Sequence, residues 1–231
     1  MRLTEQAGKI IILKMRKRKN SSSKKYFSPE TIKRLSLSLR NLKKLKEEKV
    51  EIISSDKLAS LLNVSSAQFR RDLSCFGKFG KRGVGYKIDR LIKELEDILG
   101  VKEEWKIALV GAGRLGEALI EFEGFSKFNR KIVYAFDIDK EKIGKVIKGV
   151  KVEDMRNLKE IVKRENIKIA ILCTPADSAQ KVAEELVSAG IKGILNFSPV
   201  ILKVPPSVFV TNVDMACELE GLIFLLKNEG S

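Results

Sequence analysis

The sequence predicts an α/β chain in two unlike parts: a small basic helical domain closed by a glycine-rich wing, then a doubly wound parallel sheet. A separate apolar helix follows. Three observations predict this. Residues 1–90 hold 24 Lys/Arg against 8 Asp/Glu, whereas residues 91–231 hold 21 against 22, so the whole net charge of +15 sits in the first part. A Gly-x-Gly-x-x-Gly turn at Gly111, Gly113 and Gly116 follows the apolar run Ile107 to Val110. Short apolar runs then alternate with amphipathic helical stretches as far as Val210, the pattern of strand–helix–strand units.

Composition narrows the function classes. A chain of 231 residues with 44% hydrophobic content holds one large domain or two modest ones. No apolar run approaches a membrane span, and Ile10 to Leu13 is too short for a signal-peptide core, so the expectation is a cytoplasmic protein with no membrane partner. Cys75, Cys173 and Cys217 have no paired spacing, which argues against a disulfide framework or zinc site, and each reads as a small apolar group. Histidine is absent, removing the commonest general base and the commonest transition-metal ligand. No metal is expected. The basic excess points to a polyanion, either nucleic acid or an anionic membrane surface.

Residues 1–25, with the basic run Lys14 to Lys19 and then Asn20 to Ser23, read as a flexible basic arm, and Met15 is a second possible start. Residues 26–100 form the basic domain. Ser28-Pro29 opens a helix with Ile32, Leu35, Leu39 and Leu42 on its apolar stripe; Arg34 and Arg40 fall off it. A second helix runs from about Ser55 through Leu62. After a turn at Asn63-Val64, the capping-box pattern Ser65-Ser66-Ala67-Gln68 opens a third. On that helix Phe69 and Leu73 share the inward face, while Ala67, Arg70, Arg71 and Ser74 point the other way. A short basic helix with small residues at its exposed start suits a DNA major groove, with Ser65, Ser66, Ala67, Gln68, Arg70, Arg71 and Ser74 as the candidate contacts. From Phe76 to Tyr86, Gly77, Gly80, Gly83 and Gly85 alternate with aromatics and Val84, which predicts a β-hairpin tipped by Lys81 and Arg82. The unit is then a winged helix, with Arg82 placed for an adjacent minor groove. The amphipathic stretch Ile88 to Leu99 is a linking helix stopped by Gly100.

Residues 101–212 read as a Rossmann domain. Gly111 permits the tight turn, Gly113 lets backbone approach a pyrophosphate and Gly116 lets the helix pack on its strand, with Ala112, Arg114 and Leu115 completing the loop. The helix start offers N–H groups and partial positive charge to phosphates. Leu115, Ala118, Leu119 and Phe122 form that helix's apolar side. A second strand, Lys131 to Phe136, ends in Asp137, 21 residues after Gly116, where an acid accepts the adenosine ribose hydroxyls and repels a 2′-phosphate, favouring NAD(H) over NADP(H). Strands follow at Gly149–Val152, Ile167–Leu172, Gly193–Leu195 and Val208–Val210, with helices over Met155–Lys163 and Ala176–Ala189. Thr174, Pro175, Asn196, Phe197 and Ser198 stand at the ends of the fourth and fifth strands, on the nicotinamide side of such a sheet. The last segment, residues 213–231, carries Leu219, Leu222, Ile223, Phe224, Leu225 and Leu226 nearly all round one helix. Such a helix needs cover on several sides, most naturally from a second subunit.

Phe-Arg-Arg-Asp-Leu-Ser at 69–74, Phe-Gly-Lys-Phe-Gly-Lys-Arg-Gly-Val-Gly-Tyr at 76–86 and Val-Gly-Ala-Gly-Arg-Leu-Gly at 110–116 together resemble the redox-sensing transcriptional repressor Rex over roughly residues 25–227. The resemblance implies a homodimer whose C-terminal helix is swapped between subunits. It implies binding to a palindromic double-stranded DNA operator, compatible with NAD and released by NADH. It also implies a switch in which Asp214, opening the swapped helix, meets Arg40 across the subunits. A family tyrosine near the nicotinamide is replaced here by Phe122, whose missing hydroxyl removes any hydrogen bond to Asp214. Two alternatives stand beside this reading: a winged-helix regulator sensing another nucleotide effector, such as a coenzyme A derivative, and an NAD-dependent dehydrogenase. Asp137 suits a free ribose diol and argues against the first. The lack of histidine and of a following substrate domain argues against the second, so no enzyme is expected.

Overall fold

The computed structural model of the chain describes residues 11–13, 25–80, 83–126 and 128–229. These fall into two compact units that divide between Lys102 and Glu103.

Within the segment expected to be a flexible arm, strand β1 (Ile11–Leu13) pairs antiparallel with β2 (Lys25–Phe27); the basic run Lys14 to Lys19 lies outside the described residues. Helix α1 (Pro29–Glu47) starts where Ser28 Oγ accepts the Thr31 N–H at 3.1 Å, and Pro29 occupies a first-turn position that needs no donor. Its stripe buries Leu35, Leu39 and Leu42. Strand β3 (Ile52–Ile53) leads to α2 (Ser55–Leu61), capped by Ser54, and Ser65 caps α3 (Ser66–Ser74) through the Gln68 N–H at 3.2 Å. Strand β4 (Tyr86–Lys87) runs into α4 (Ile88–Leu99), which ends on Gly100 in the left-handed conformation. The core of this unit gathers Leu35, Leu39 and Leu42 with Leu58, Phe69, Leu73, Leu91 and Leu95. Phe69 meets the Tyr86 ring edge-on at 6.0 Å.

The wing differs from the expected hairpin. Residues 76–80 carry no strand; β4 pairs instead with β3, with Ile53 opposite Tyr86 and Ile52 opposite Lys87. The reason is steric and local. Gly80 and Gly85 have positive φ, and a Cβ on Gly85 would stand 2.5 Å from the Ile53 carbonyl oxygen. The glycines let Tyr86 pair with the strand before α2 while its ring lies over Gly80, where a Cβ would stand 2.8 Å from Tyr86 Cδ1.

The second unit is a Rossmann-type sheet. It comprises β5 (Trp105–Val110), α5 (Arg114–Glu121), α6 (Glu123–Ser126), β6 (Arg130–Asp137), β7 (Val146–Ile147), β8 (Val150–Asp154), α7 (Leu158–Arg164), β9 (Ile169–Leu172), α8 (Ala176–Ala189), β10 (Gly193–Asn196), β11 (Phe209–Asn212) and α9 (Met215–Lys227). A single 3₁₀ turn, Met155–Asn157, precedes α7, so the helix expected from Met155 starts later. The strand order is β11-β10-β9-β5-β6-β8-β7, parallel throughout except for the short edge strand β7. Alternate residues of β5 serve opposite faces. Ala108 and Val110 join the core shared with α7 and α8, whereas Ile107 and Leu109 join the one that receives Leu119 and Ile120 of α5. The chain reverses its winding between β5 and β9, and the crevice beyond the carboxyl ends of those two strands is where ligands of such sheets lie.

Candidate functional site

The glycine turn stands at that crevice, and its three glycines do different work. Gly111 has φ 97°, and a Cβ there would lie 2.5 Å from the Cys173 carbonyl oxygen, so the turns after β5 and β9 touch backbone to backbone. A Cβ on Gly116 would run into the Gly111 carbonyl oxygen, which ties α5 down onto the turn. Gly113 is different: nothing lies within 4 Å of the position its Cβ would take, and it is the N-cap of α5 with no side-chain cap. Open backbone at a helix start is the geometry that receives an anion. Arg114 and Leu115, in the first turn of α5, are exposed, and Ala112 is buried.

Asp137 closes β6 and is 8% exposed. Its Oδ1 accepts the N–H groups of Ile138 (2.8 Å) and Asp139 (2.9 Å); its Oδ2 accepts the Ala112 N–H (2.9 Å) and Lys142 Nζ (3.2 Å). Burial pushes this carboxyl up, but the Asp139 N–H, Lys142 and the Ala112 N–H outweigh it and hold it ionised, below the usual carboxylate range. Asp137 therefore anchors the glycine turn as well as facing the crevice. Sequence reasoning placed the acid and missed Lys142; a lysine five residues after Asp137, across the turn that follows β6, was the available signal.

Across the crevice, Thr174 Oγ1 is buried without a hydrogen-bond partner. A buried hydroxyl left unsatisfied costs about 1–3 kcal/mol, which a bound polar group removes. Ser198 Oγ donates to the Thr174 carbonyl at 2.6 Å. Asn196 does not face the crevice. It is fully buried, its amide nitrogen donating to the carbonyls of Ser198 and Val200 and to Asn212 Oδ1, while its Oδ1 accepts the Ser198 N–H. Its work is to shape the turn after β10. Phe197 is half-buried at the edge of the core and Pro175 is exposed. Burial pushes the Cys173 thiol up to about 12, so it stays protonated and unreactive. The open Gly113 backbone, the acid at β6 and the orphaned Thr174 hydroxyl fit an extended dinucleotide laid across the ends of β5 and β9.

In the other unit α3 presents Ser65, Ala67, Arg70, Arg71 and Ser74 to solvent, with Ser66 and Gln68 half-buried. Arg70 Nη1 donates to Ser55 Oγ at 2.9 Å, which leans it toward the start of α2. Lys81 and Arg82 lie outside the described residues. The reciprocal half of the capping box is not made, because Gln68 Nε2 turns to Asp72 Oδ1 at 2.9 Å. Asp72, 3% exposed, is the hub that sequence reasoning missed. Arg34 grips it with Nε on Oδ2 (2.6 Å) and Nη2 on Oδ1 (3.0 Å), and the Thr31 hydroxyl donates to Oδ1 at 3.1 Å. Arg34 is thus no part of a solvated basic face: it fixes α3 against α1. Removing the outward cations tests α3 directly. Arg70→Ala and Arg71→Ala should each weaken DNA binding, and each phosphate left without its cation should lower the slope of log affinity against log salt by about one.

Of the expected switch residues, Arg40 is exposed on α1 in the first unit. Asp214 is the N-cap of α9, its Oδ1 accepting the N–H groups of Ala216 (3.0 Å) and Cys217 (3.2 Å). Phe122 lies just past the end of α5 rather than within it, 57% exposed, its ring edge-on to Phe125 at 5.2 Å. Helix α9 buries nothing: Met215, Leu219, Leu222, Ile223, Phe224, Leu225 and Leu226 are all more than half exposed.

Comparison with known proteins places both units. Residues 28–74 match the family described as "Putative DNA-binding protein N-terminus", and residues 102–200 match the CoA binding domain family. The redox-sensing transcriptional repressor Rex of Roseiflexus sp. (strain RS-1) is 42% identical over 198 residues, 86% of this chain and 90% of that protein. Repressor Rex 1 of Thermotoga maritima is 44% identical over 191 residues, 82% and 91% of the two chains. The crystal structure of RSP with β-NAD+ and operator DNA is 37% identical at a TM-score of 0.84, covering 90% of this chain and 95% of that one, and RSP with β-NADH is similar at a TM-score of 0.80 and 36% identity, covering 90% and 97%.

Proposed function

The chain belongs to the Rex family of redox-sensing transcriptional repressors, and on that premise we propose that it binds an operator DNA through α3 and the wing and releases it when NADH occupies the cradle between β5 and β9. The observation that carries this is the presence, in one chain, of an outward basic helix braced by Asp72 and a nucleotide cradle whose Thr174 hydroxyl awaits a partner. The NAD(H) couple supplies an oxidised or reduced ring, the chemical difference that is sensed. The protein's part is to hold it: Gly113 backbone and the start of α5 for the pyrophosphate, Asp137 for the adenosine ribose, and Thr174 with the turn ordered by Asn196 and Ser198 for the nicotinamide end. Asp137 and the RSP complexes favour this over the coenzyme A reading that the CoA binding domain match brings to mind. Protein of this kind is a regulator rather than an enzyme.

Release needs no chemistry. If NADH prefers a dimer shape that cannot span both halves of a palindrome, it lowers DNA affinity by its differential affinity for the two shapes. The test is a labelled palindromic DNA pool, titrated with NADH and separately with NAD at fixed salt. NADH is expected to release DNA at concentrations where NAD has little effect. Specific binding indifferent to both would overturn the sensor reading, and no binding would overturn the repressor reading. With its carboxylate capping α9, Asp214 couples that helix to the switch; Asp214→Ala is expected to blunt the NADH response while NADH binding stays measurable by calorimetry.

A further inference from the structure

We propose that Lys142 is the specificity-determining residue of the dinucleotide site, a movable cation on Asp137 that weakens binding of a free ribose diol and lets the site tolerate a 2′-phosphate. The inference rests on the reading of that site given above and deepens it.

A carboxylate offers about four lone-pair positions. On Asp137 all four are taken: the N–H groups of Ala112, Ile138 and Asp139, and Lys142 Nζ. Three of these donors are backbone, fixed by the glycine turn and by the end of β6. The fourth sits on a flexible stem and is about one-third exposed. A ribose hydroxyl that donates to Asp137 must therefore displace Lys142, the one donor that can leave. The ammonium has somewhere to go, because Asp139 Oδ2 stands 3.7 Å from Nζ and is itself 43% exposed. Two consequences oppose the simple rule that an acid at this position selects against NADP(H). Lys142 competes with the 2′-hydroxyl for Asp137, and its charge cancels the repulsion that Asp137 would exert on a 2′-phosphate.

Calorimetric titration of the full chain with NADH and, separately, NADPH measures both. In Lys142→Met, NADH is expected to bind more tightly and NADPH more weakly, raising the preference for NADH by roughly tenfold. Asp139→Asn removes the alternative seat, so Lys142 holds Asp137 more firmly; NADH affinity should fall in that variant, and the fall should vanish when Lys142→Met is added. A preference within twofold of the wild type in Lys142→Met, or an Asp139→Asn effect that persists without Lys142, overturns the role of Lys142 while leaving the site intact. Failure of the unaltered chain to bind either nucleotide overturns the site reading, and this inference with it.

Discussion

Asp72→Ala is expected to cost the N-terminal unit about 3 kcal/mol of stability, the low end for breaking a buried ion pair because Arg34 remains partly hydrated. The substitution strands the Arg34 guanidinium, the Thr31 hydroxyl and the Gln68 amide together. For a unit of this size the loss is a fall in Tm of more than about 10 °C, read by calorimetry as a shift of the first-unit transition. The same carboxyl gives a pH signature. Burial pushes Asp72 up, but the bonds from Arg34, Gln68 and Thr31 outweigh it and hold it below its ordinary value. A carboxyl depressed in the fold stabilises above its unfolded value and loses that contribution as pH falls through its folded one. The wild type should therefore weaken as pH drops below about 4, and Asp72→Ala should flatten that limb of the curve. DNA binding should fall with the domain, while NADH binding in the other unit should persist.

Gly116→Val is expected to do the converse. Its Cβ would run into the Gly111 carbonyl oxygen, and no rotamer choice relieves a backbone clash. Helix α5 must lift from the turn, carrying the Gly113 backbone away from the pyrophosphate position. NADH affinity should fall roughly 100-fold by calorimetry. Operator binding should survive, now deaf to NADH. The two variants thus separate the halves of the sensor: one loses the output and keeps the input, the other the reverse.

Features set by local rules were legible in the sequence. Ser28 and Pro29 marked the start of α1, Gly100 ended α4, and the glycine spacing with Asp137 pointed to the crevice. Features set by partners distant in the chain were not. Strand β3 is two residues long and carries no periodicity; only its pairing with Tyr86–Lys87 makes it a strand. Asp72 sat within a basic helix and read as background, because Arg34 is 38 residues away. Asn196 stood at the correct strand end, but its amide is spent on the turn, which depends on loop geometry that residue type does not reveal. Phe122 was counted into α5, yet the helix ends one residue sooner and the ring turns to Phe125.

The bare helix α9 has a consequence for how the protein is regulated by its own abundance. Seven large apolar side chains lie more than half exposed on one helix, and on our proposal that a second copy covers them, that cover obeys mass action. Below the dimerisation constant, the concentration of competent repressor then rises faster than linearly with the amount of chain made. Dilution should lower the Tm, and where monomer dominates and the operator is far from saturated, halving synthesis should cost more than half of the operator occupancy.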